Sequence, residues 1–127
     1  MKKKILIVED DPVIVVSLEF LMIRNGYDVL LAKNGVEAME LLTNNAPDLV
    51  LLDVMLPDRT GLEICQEMRS KKEFDATKII LLSAKGREID IEKGLTLGAD
   101  AYVTKPFSTR ELVKHIQDLL GEETNES

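Results

Sequence analysis

The chain has 127 residues, 45% of them hydrophobic, which fits one globular domain of about 100–200 residues with one core and excludes a large multidomain enzyme. Sixteen basic against 23 acidic side chains give a net charge of −7, so non-specific nucleic-acid binding by this domain, which needs a basic face, is not expected. The single cysteine, Cys65, excludes a disulfide framework within the chain and suits a reducing, cytoplasmic compartment.

Ile5-Leu6-Ile7-Val8 follows a basic start, Met1-Lys2-Lys3-Lys4. This apolar run is too short for a secretory signal and has no polar alternation, so it reads as a strand buried on both faces. Asp11 then reads as an N-cap and Pro12 as the first turn of a helix carrying Val13, Val16, Leu18, Phe20, Leu21 and Ile23. Asn25-Gly26 stops it. Val29-Leu30-Leu31-Ala32 is a second strand. Lys33-Asn34-Gly35 reads as an ordinary turn into a helix marked by Val36, Met39, Leu41 and Leu42. Leu49-Val50-Leu51-Leu52 is a third strand, followed by a helix with Leu62, Ile64, Cys65 and Met68. Ile79-Ile80-Leu81-Leu82 is a fourth, followed by a helix with Ile89, Ile91, Leu95 and Leu97 that stops at Gly98. Ala101-Tyr102-Val103 is a fifth. Ser108-Thr109-Arg110-Glu111 is an S-x-x-E capping box opening the last helix, with Leu112, Val113, Ile116, Leu119 and Leu120 on its apolar face. Met22, Met39, Met68, Cys65, Phe20 and Phe107 read as core filler. Residues 1–120 form the domain. Residues 121–127 are polar and read as a flexible acidic tail or a truncated linker.

Strand and helix alternate five times. A (βα)5 pattern gives an α/β fold, a doubly wound five-stranded parallel sheet with helices on both faces, because its crossovers are right-handed. No stretch approaches the roughly 20 apolar residues of a membrane span, so no membrane partner is expected.

In such a sheet, ligands sit beyond the carboxyl ends of the strands. The first strand ends in Glu9-Asp10-Asp11, the third in Asp53, the fourth in Ser83-Ala84 and the fifth in Thr104-Lys105-Pro106. Two carboxylates about 4 Å apart repel by about 4 kcal/mol at an effective dielectric of about 20. Glu9, Asp10 and Asp53 crowded together therefore call for a cation. A few hard oxygen ligands favour Mg2+ that keeps several waters and shares phosphate oxygens. With Lys105 as a fixed positive charge and Ser83 as a hydroxyl donor, the edge has the parts for phosphoryl transfer to a carboxylate. Taken singly, each residue has a plainer role: Asp53 as a turn residue, Ser83 as a loop hydroxyl, Lys105 as a solvated ammonium. What favours function is that four strand ends deliver them to one edge.

Together these residues resemble the receiver domain of two-component response regulators, of the chemotaxis-regulator type. The resemblance runs from Lys4 to Leu120. Glu9-Asp10-Asp11 matches the acidic pair after strand one. Asp53-Val54-Met55-Leu56-Pro57 followed by Gly61 matches D-x-x-x-P around the phosphorylated aspartate. Leu82-Ser83-Ala84 matches the Thr/Ser position, and Thr104-Lys105-Pro106-Phe107 the strand-five signature. The resemblance implies strand order 2-1-3-4-5 and a phosphoacceptor role. Asp53 would take the phosphoryl group from a histidine kinase or a phosphotransfer protein. Asp10 would bind Mg2+ directly, Glu9 through water, and Met55 through its backbone carbonyl. Lys105, in a cis peptide with Pro106, would hold a phosphate oxygen. Ser83 and Tyr102 would form the switch that alters the face of helix four, strand five and helix five toward an output protein or effector domain. A homodimer on phosphorylation is a further implication. The domain would be no enzyme beyond its own phosphorylation and dephosphorylation.

That output face offers Arg87, Glu88, Asp90, Glu92 and Lys93 on helix four and Arg110, Glu111, Lys114 and His115 on helix five. They read either as a docking surface or as a solvated mixed-charge face. Ala101 and His115 stand where DNA-binding relatives commonly carry charges, which disfavours their mode of dimerisation. Three rivals are weaker. A phosphohydrolase of the haloacid-dehalogenase type would place a second Asp where Met55 stands. A nucleotide-binding module would show G-x-G-x-x-G or G-x-x-x-x-G-K-[ST], and neither occurs. A receiver that only binds would lack one of the acids or the lysine. The chain reads either as a stand-alone regulator acting by protein contact or as the receiver of a longer DNA-binding or second-messenger regulator.

Overall fold

The computed structural model describes residues 2–122. Strands β1 (Lys4–Val8), β2 (Asp28–Ala32), β3 (Leu49–Asp53), β4 (Lys78–Ala84) and β5 (Ala101–Lys105) alternate with helices α1 (Pro12–Arg24), α2 (Gly35–Asn45), α3 (Gly61–Arg69), α4 (Glu88–Leu97) and α5 (Thr109–Leu120). All pairings are parallel, in the order β2-β1-β3-β4-β5. The interior strand β1 pairs on both sides, Ile7 meeting Leu31 on β2 and Leu51 on β3. The chain leaves β1 toward one edge and returns to β3 on the other side. The crevice at that reversal is where doubly wound sheets bind ligands.

Side-chain alternation along the strands divides the core in two. Leu6, Val8, Val50, Leu52, Ile79 and Leu81 meet Leu42 of α2 and Ile64 and Met68 of α3. Ile5, Ile7, Leu49, Leu51, Ile80 and Leu82 meet Leu18 and Met22 of α1 and Leu112 and Ile116 of α5. All are essentially fully buried, each stabilising the fold by about 1.5–3 kcal/mol relative to exposure. Cys65 is buried on the first face, and Phe107 packs against the second. Both faces of β1, β3 and β4 are therefore apolar and covered, which is why these strand segments lack polar alternation.

Helix ends follow local chemistry. The Asp11 carboxylate accepts the Val13 N–H at 3.0 Å, and Pro12 occupies the first turn. At Ser108 the structure holds one bond, Glu111 N–H to Ser108 Oγ at 3.3 Å, and not the return bond a full capping box requires. The reciprocal box is at Thr60 and Glu63 instead. At the far end of the sheet, the Arg69 guanidinium donates to the carbonyls of Phe74, Thr77 and Gly98 and to the Asp100 carboxylate, tying α3 to the start of β4 and the end of α4.

Two helices face differently from their sequence reading. In α1, Val13, Val16, Phe20 and Ile23 are exposed; Phe20 is 66% exposed and is not core filler. α1 is apolar all round, so its periodicity does not mark the buried stripe, which is Leu18 and Met22 with Ile14 and Leu21 beside them. In α4, Ile89 and Leu95 point outward while Asp90 and Gly94 face the sheet. Asp90 therefore leaves the solvated face assigned to it. Its buried carboxylate accepts a hydrogen bond from Arg87 Nε at 2.8 Å. At Gly94 the backbone lies against Leu81, where a Cβ would overlap that side chain.

Gly121 caps α5, and Glu122 accepts a hydrogen bond from the Tyr27 hydroxyl at 2.5 Å. The rest of the predicted tail, 123–127, lies outside the described residues.

Candidate functional site

Glu9 is the first residue beyond β1, Asp53 the last of β3, Lys105 the last of β5, and Ser83 lies one residue from the end of β4. Register brings them together: Asp53 is opposite Leu82, and Ser83 opposite Thr104. Glu9, Asp10 and Asp53 each offer one carboxylate oxygen, and these oxygens all lie within 4.8 Å of one another. Lys105 Nζ is 2.6 Å from Glu9 Oε1 and 3.3 Å from Asp53 Oδ2. Backbone amides hold the acids from the other side. Met55 N–H donates to Asp53 Oδ1 at 3.0 Å, and Asp11 N–H to Glu9 Oε2 at 3.1 Å. Glu9 and Asp53 are buried while Asp10 is exposed, so the cluster opens to solvent past Asp10.

The electrostatics follow from three carboxylates facing one ammonium. Burial pushes the Glu9 carboxyl above its usual range and the neighbouring Asp53 adds to this, against the hydrogen bonds from Lys105 and the Asp11 amide. Burial alone would weaken the Lys105 ammonium. The hydrogen bond to Glu9 and the charges of Asp53 and Glu9 outweigh it, so Lys105 is held above its ordinary value. Three carboxylates against one ammonium leave the site with surplus negative charge, which raises both groups, although for Glu9 burial is the larger cause. That surplus, with clustered hard oxygens, fits a divalent cation such as Mg2+.

The loop after Asp53 is closed tightly. Gly61 N–H donates to the Val54 carbonyl at 2.8 Å, and Met55 and Thr60 form an antiparallel bridge. A Cβ on Gly61 would overlap the Asp53 carbonyl. Glycine there allows α3 to start against the backbone of the acidic residue itself.

Ser83 is 1% exposed, and its hydroxyl donates only to the Ala84 carbonyl at 3.3 Å, longer than the about 2.5–3.0 Å of a good hydroxyl bond. The Lys105-Pro106 peptide is cis. Met55 is exposed on the loop. Tyr102 is not drawn into the cluster. It is 41% exposed, beside a groove of about 850 Å3 that also touches Leu95, Phe107, Glu111, Lys114 and His115.

One feature escapes sequence reasoning. The Asp58 carboxylate accepts the N–H groups of Gly35 and Val36 at 2.8 and 3.1 Å. The Lys33-Asn34-Gly35 segment, read as an ordinary turn, is an anchoring point for the loop that follows Asp53. The partners are 22 and 23 residues apart in the chain, and no local spacing signals such a pairing.

A family model for the response regulator receiver domain matches residues 5–117. Among solved structures, a candidate response regulator from Chloroflexus aurantiacus J-10-fl is 32% identical, with a TM-score of 0.92 over 96% of this chain and 100% of that one. The receiver domain of a sensor histidine kinase from Pseudomonas aeruginosa PAO1, which has a magnesium ion coordinated in its active-site cleft, is 31% identical. Its TM-score is 0.87, covering 96% of this chain and 100% of that one. The chemotaxis response regulator CheY4 of Vibrio cholerae is 27% identical, with a TM-score of 0.87 over 94% of this chain and 99% of that one. Among the described residues, no helix is long and apolar enough to cross a membrane. Because the family match spans nearly the whole sheet and the strand order agrees, the chain belongs to the response regulator receiver domain family of two-component signal transduction.

Proposed function

We propose that Asp53 accepts a phosphoryl group from the phosphohistidine of a histidine kinase or phosphotransfer protein, and that the modified domain controls an output protein or effector domain. The observation carrying this reading is the convergence of Glu9, Asp10 and Asp53 within 4.8 Å, with Lys105 Nζ 2.6 and 3.3 Å from two of them.

An Asp53 oxygen attacks phosphorus in line. The O–P bond forms as the N–P bond breaks, and the donor imidazole departs with the bonding pair. Met55 N–H and Lys105 orient the attacking carboxylate. Mg2+ would be held by Asp10 and Asp53, with Glu9 alongside and the Met55 carbonyl completing the protein ligands, and it supplies neutralisation of phosphate charge. Once the acids have another counter-charge, Lys105 is free to leave Glu9 for a phosphoryl oxygen. The Ser83 hydroxyl, weakly bonded and buried, donates to another.

The product adds roughly one to two negative charges and new acceptor oxygens. Drawing Ser83 toward them opens space that Tyr102 fills from its half-exposed position. That biases α4, β5 and α5 between two packings, and a second copy of the chain is one partner such a face could take. The chemistry is confined to the chain's own Asp53, and the domain works in the cytoplasm.

The test is incubation with acetyl phosphate and Mg2+. The intact mass gains one phosphoryl group that alkali removes, and Asp53→Asn gains none. Uptake by Asp53→Asn at the rate of the unaltered chain overturns the assignment.

A further inference from the structure

We infer that Asp58 is a positioning residue for the cation site: it clamps the loop that delivers the Met55 carbonyl onto the N-terminus of α2. The inference rests on the phosphoacceptor reading above and extends it to a residue outside the acidic cluster.

The loop from Val54 to Thr60 is pinned at its base by the Gly61 N–H to Val54 carbonyl bond and the Met55–Thr60 bridge. Those contacts bond the loop to itself, Met55 included, so its placement against α2 rests on bonds to that helix. Asp58, between Met55 and Thr60 in the chain, supplies them. Its two oxygens take the first two amides of α2, Gly35 and Val36, at 2.8 and 3.1 Å. Asn34 takes the third, Glu37 N–H at 2.8 Å. The four amides of a helix start have no partner within the helix, so the clamp satisfies an existing need. The contact extends to the next residue: the Arg59 stem lies so close over Gly35 that a Cβ there would overlap it, while its guanidinium pairs with Glu67 at 2.9 Å. These amides hold the Asp58 carboxyl below its usual range, the Gly35 bond foremost.

The clamp therefore joins two of the loops that follow strands at the ligand edge, the one after β2 and the one after β3. An outer partner that orients a metal ligand is commonly worth tenfold or more in affinity. Asp58 is exposed and lies outside the buried core, so its removal leaves the fold standing.

The experiment is calorimetric titration of the full chain with MgCl2, alongside thermal unfolding. For Asp58→Ala the Mg2+ dissociation constant rises by about tenfold. Asp58→Asn, which keeps one acceptor oxygen, rises less. Asn34→Ala is the control: it weakens the same helix start without touching the loop, and so lowers the melting temperature with no change in Mg2+ affinity. Phosphorylation of Asp58→Ala by acetyl phosphate is slowed and recovers when Mg2+ is raised. An unchanged dissociation constant for Asp58→Ala overturns the inference, as does an equal rise in Asn34→Ala or a rate that excess Mg2+ does not restore. If the unaltered chain binds no Mg2+, the phosphoacceptor reading itself fails and this inference with it.

Discussion

Lys105 is bonded more closely to Glu9 than to Asp53, its ammonium 2.6 Å from the first and 3.3 Å from the second. The lysine thus serves as counter-ion to a carboxylate that is 1% exposed. Removing one partner from a buried pair costs more than the pair itself contributes, because a charge is left uncompensated. Lys105→Met is expected to lose about 1–3 kcal/mol of stability in EDTA, below the fully buried limit because the lysine retains some solvent contact. Urea denaturation measures this. Stability equal to that of the unaltered chain would mean that Glu9 finds its neutralisation elsewhere.

A cation that binds the folded chain and not the unfolded one stabilises it by mass action, by about 2.7 kcal/mol at a hundred times its dissociation constant. Mg2+ is expected to raise the melting temperature, and EDTA to reverse the rise. Asp10→Asn removes one of three crowded carboxylates. In EDTA it unfolds no earlier than the unaltered chain, since like-charge repulsion falls. In Mg2+ it shows a much smaller rise. A full rise in Asp10→Asn would place the cation elsewhere.

Tyr27 gives a stability signal away from the site. It is buried, and burial, followed by the hydrogen bond to and charge of Glu122, raises its phenol above the ordinary value of 10.0. The folded state binds that proton more tightly than the unfolded state does. The contribution is therefore fully present below about pH 10 and is lost as pH climbs toward the folded value. Tyr27→Phe is expected to be less stable than the unaltered chain by about 1–2 kcal/mol at neutral pH. The gap should narrow above about pH 10 in guanidinium titrations at stepped pH. A gap that stays constant up to pH 11 would show that the Glu122 contact does not hold in solution.

The exposed side of α1 separates two kinds of apolar residue. Leu18 is fully buried and Phe20 is 66% exposed. Leu18→Ala is expected to cost about 2–5 kcal/mol through lost burial and the cavity left behind. Phe20→Ala should change stability by no more than about 0.5 kcal/mol. Chemical denaturation of the two variants checks this, and a loss for Phe20→Ala as large as for Leu18→Ala would contradict the orientation of α1.

These contrasts mark what the sequence makes legible. The strands are legible because Ile5-Leu6-Ile7-Val8 and its counterparts are unbroken apolar runs, which only a sheet covered on both faces requires. The site edge is legible because Glu9, Asp10, Asp53, Ser83 and Lys105 lie at or just beyond the ends of four different strands, and parallel topology sends all those ends to one side. Helix orientation is less so. In α1, apolar residues surround the axis, so Val13 and Leu18 look equivalent until packing chooses. In α4, the polar Asp90 goes inward because Arg87 pairs with it and because Gly94 lets the helix approach Leu81. The Thr60–Glu63 box is written in the chain as T-x-x-E. The Asp58 clamp is not, because its partners are backbone amides brought near by the fold.

The most direct measurement is to locate the phosphoryl group. The chain is treated with acetyl phosphate in Mg2+ or in EDTA, the acyl phosphate is trapped by borohydride reduction, and the reduced residue is identified by peptide mass spectrometry. The expected result is a single reduced position, Asp53, in Mg2+ and none in EDTA. Reduction at Asp10 or Glu9 instead, or equal modification of Asp53 with and without the cation, would contradict the assignment.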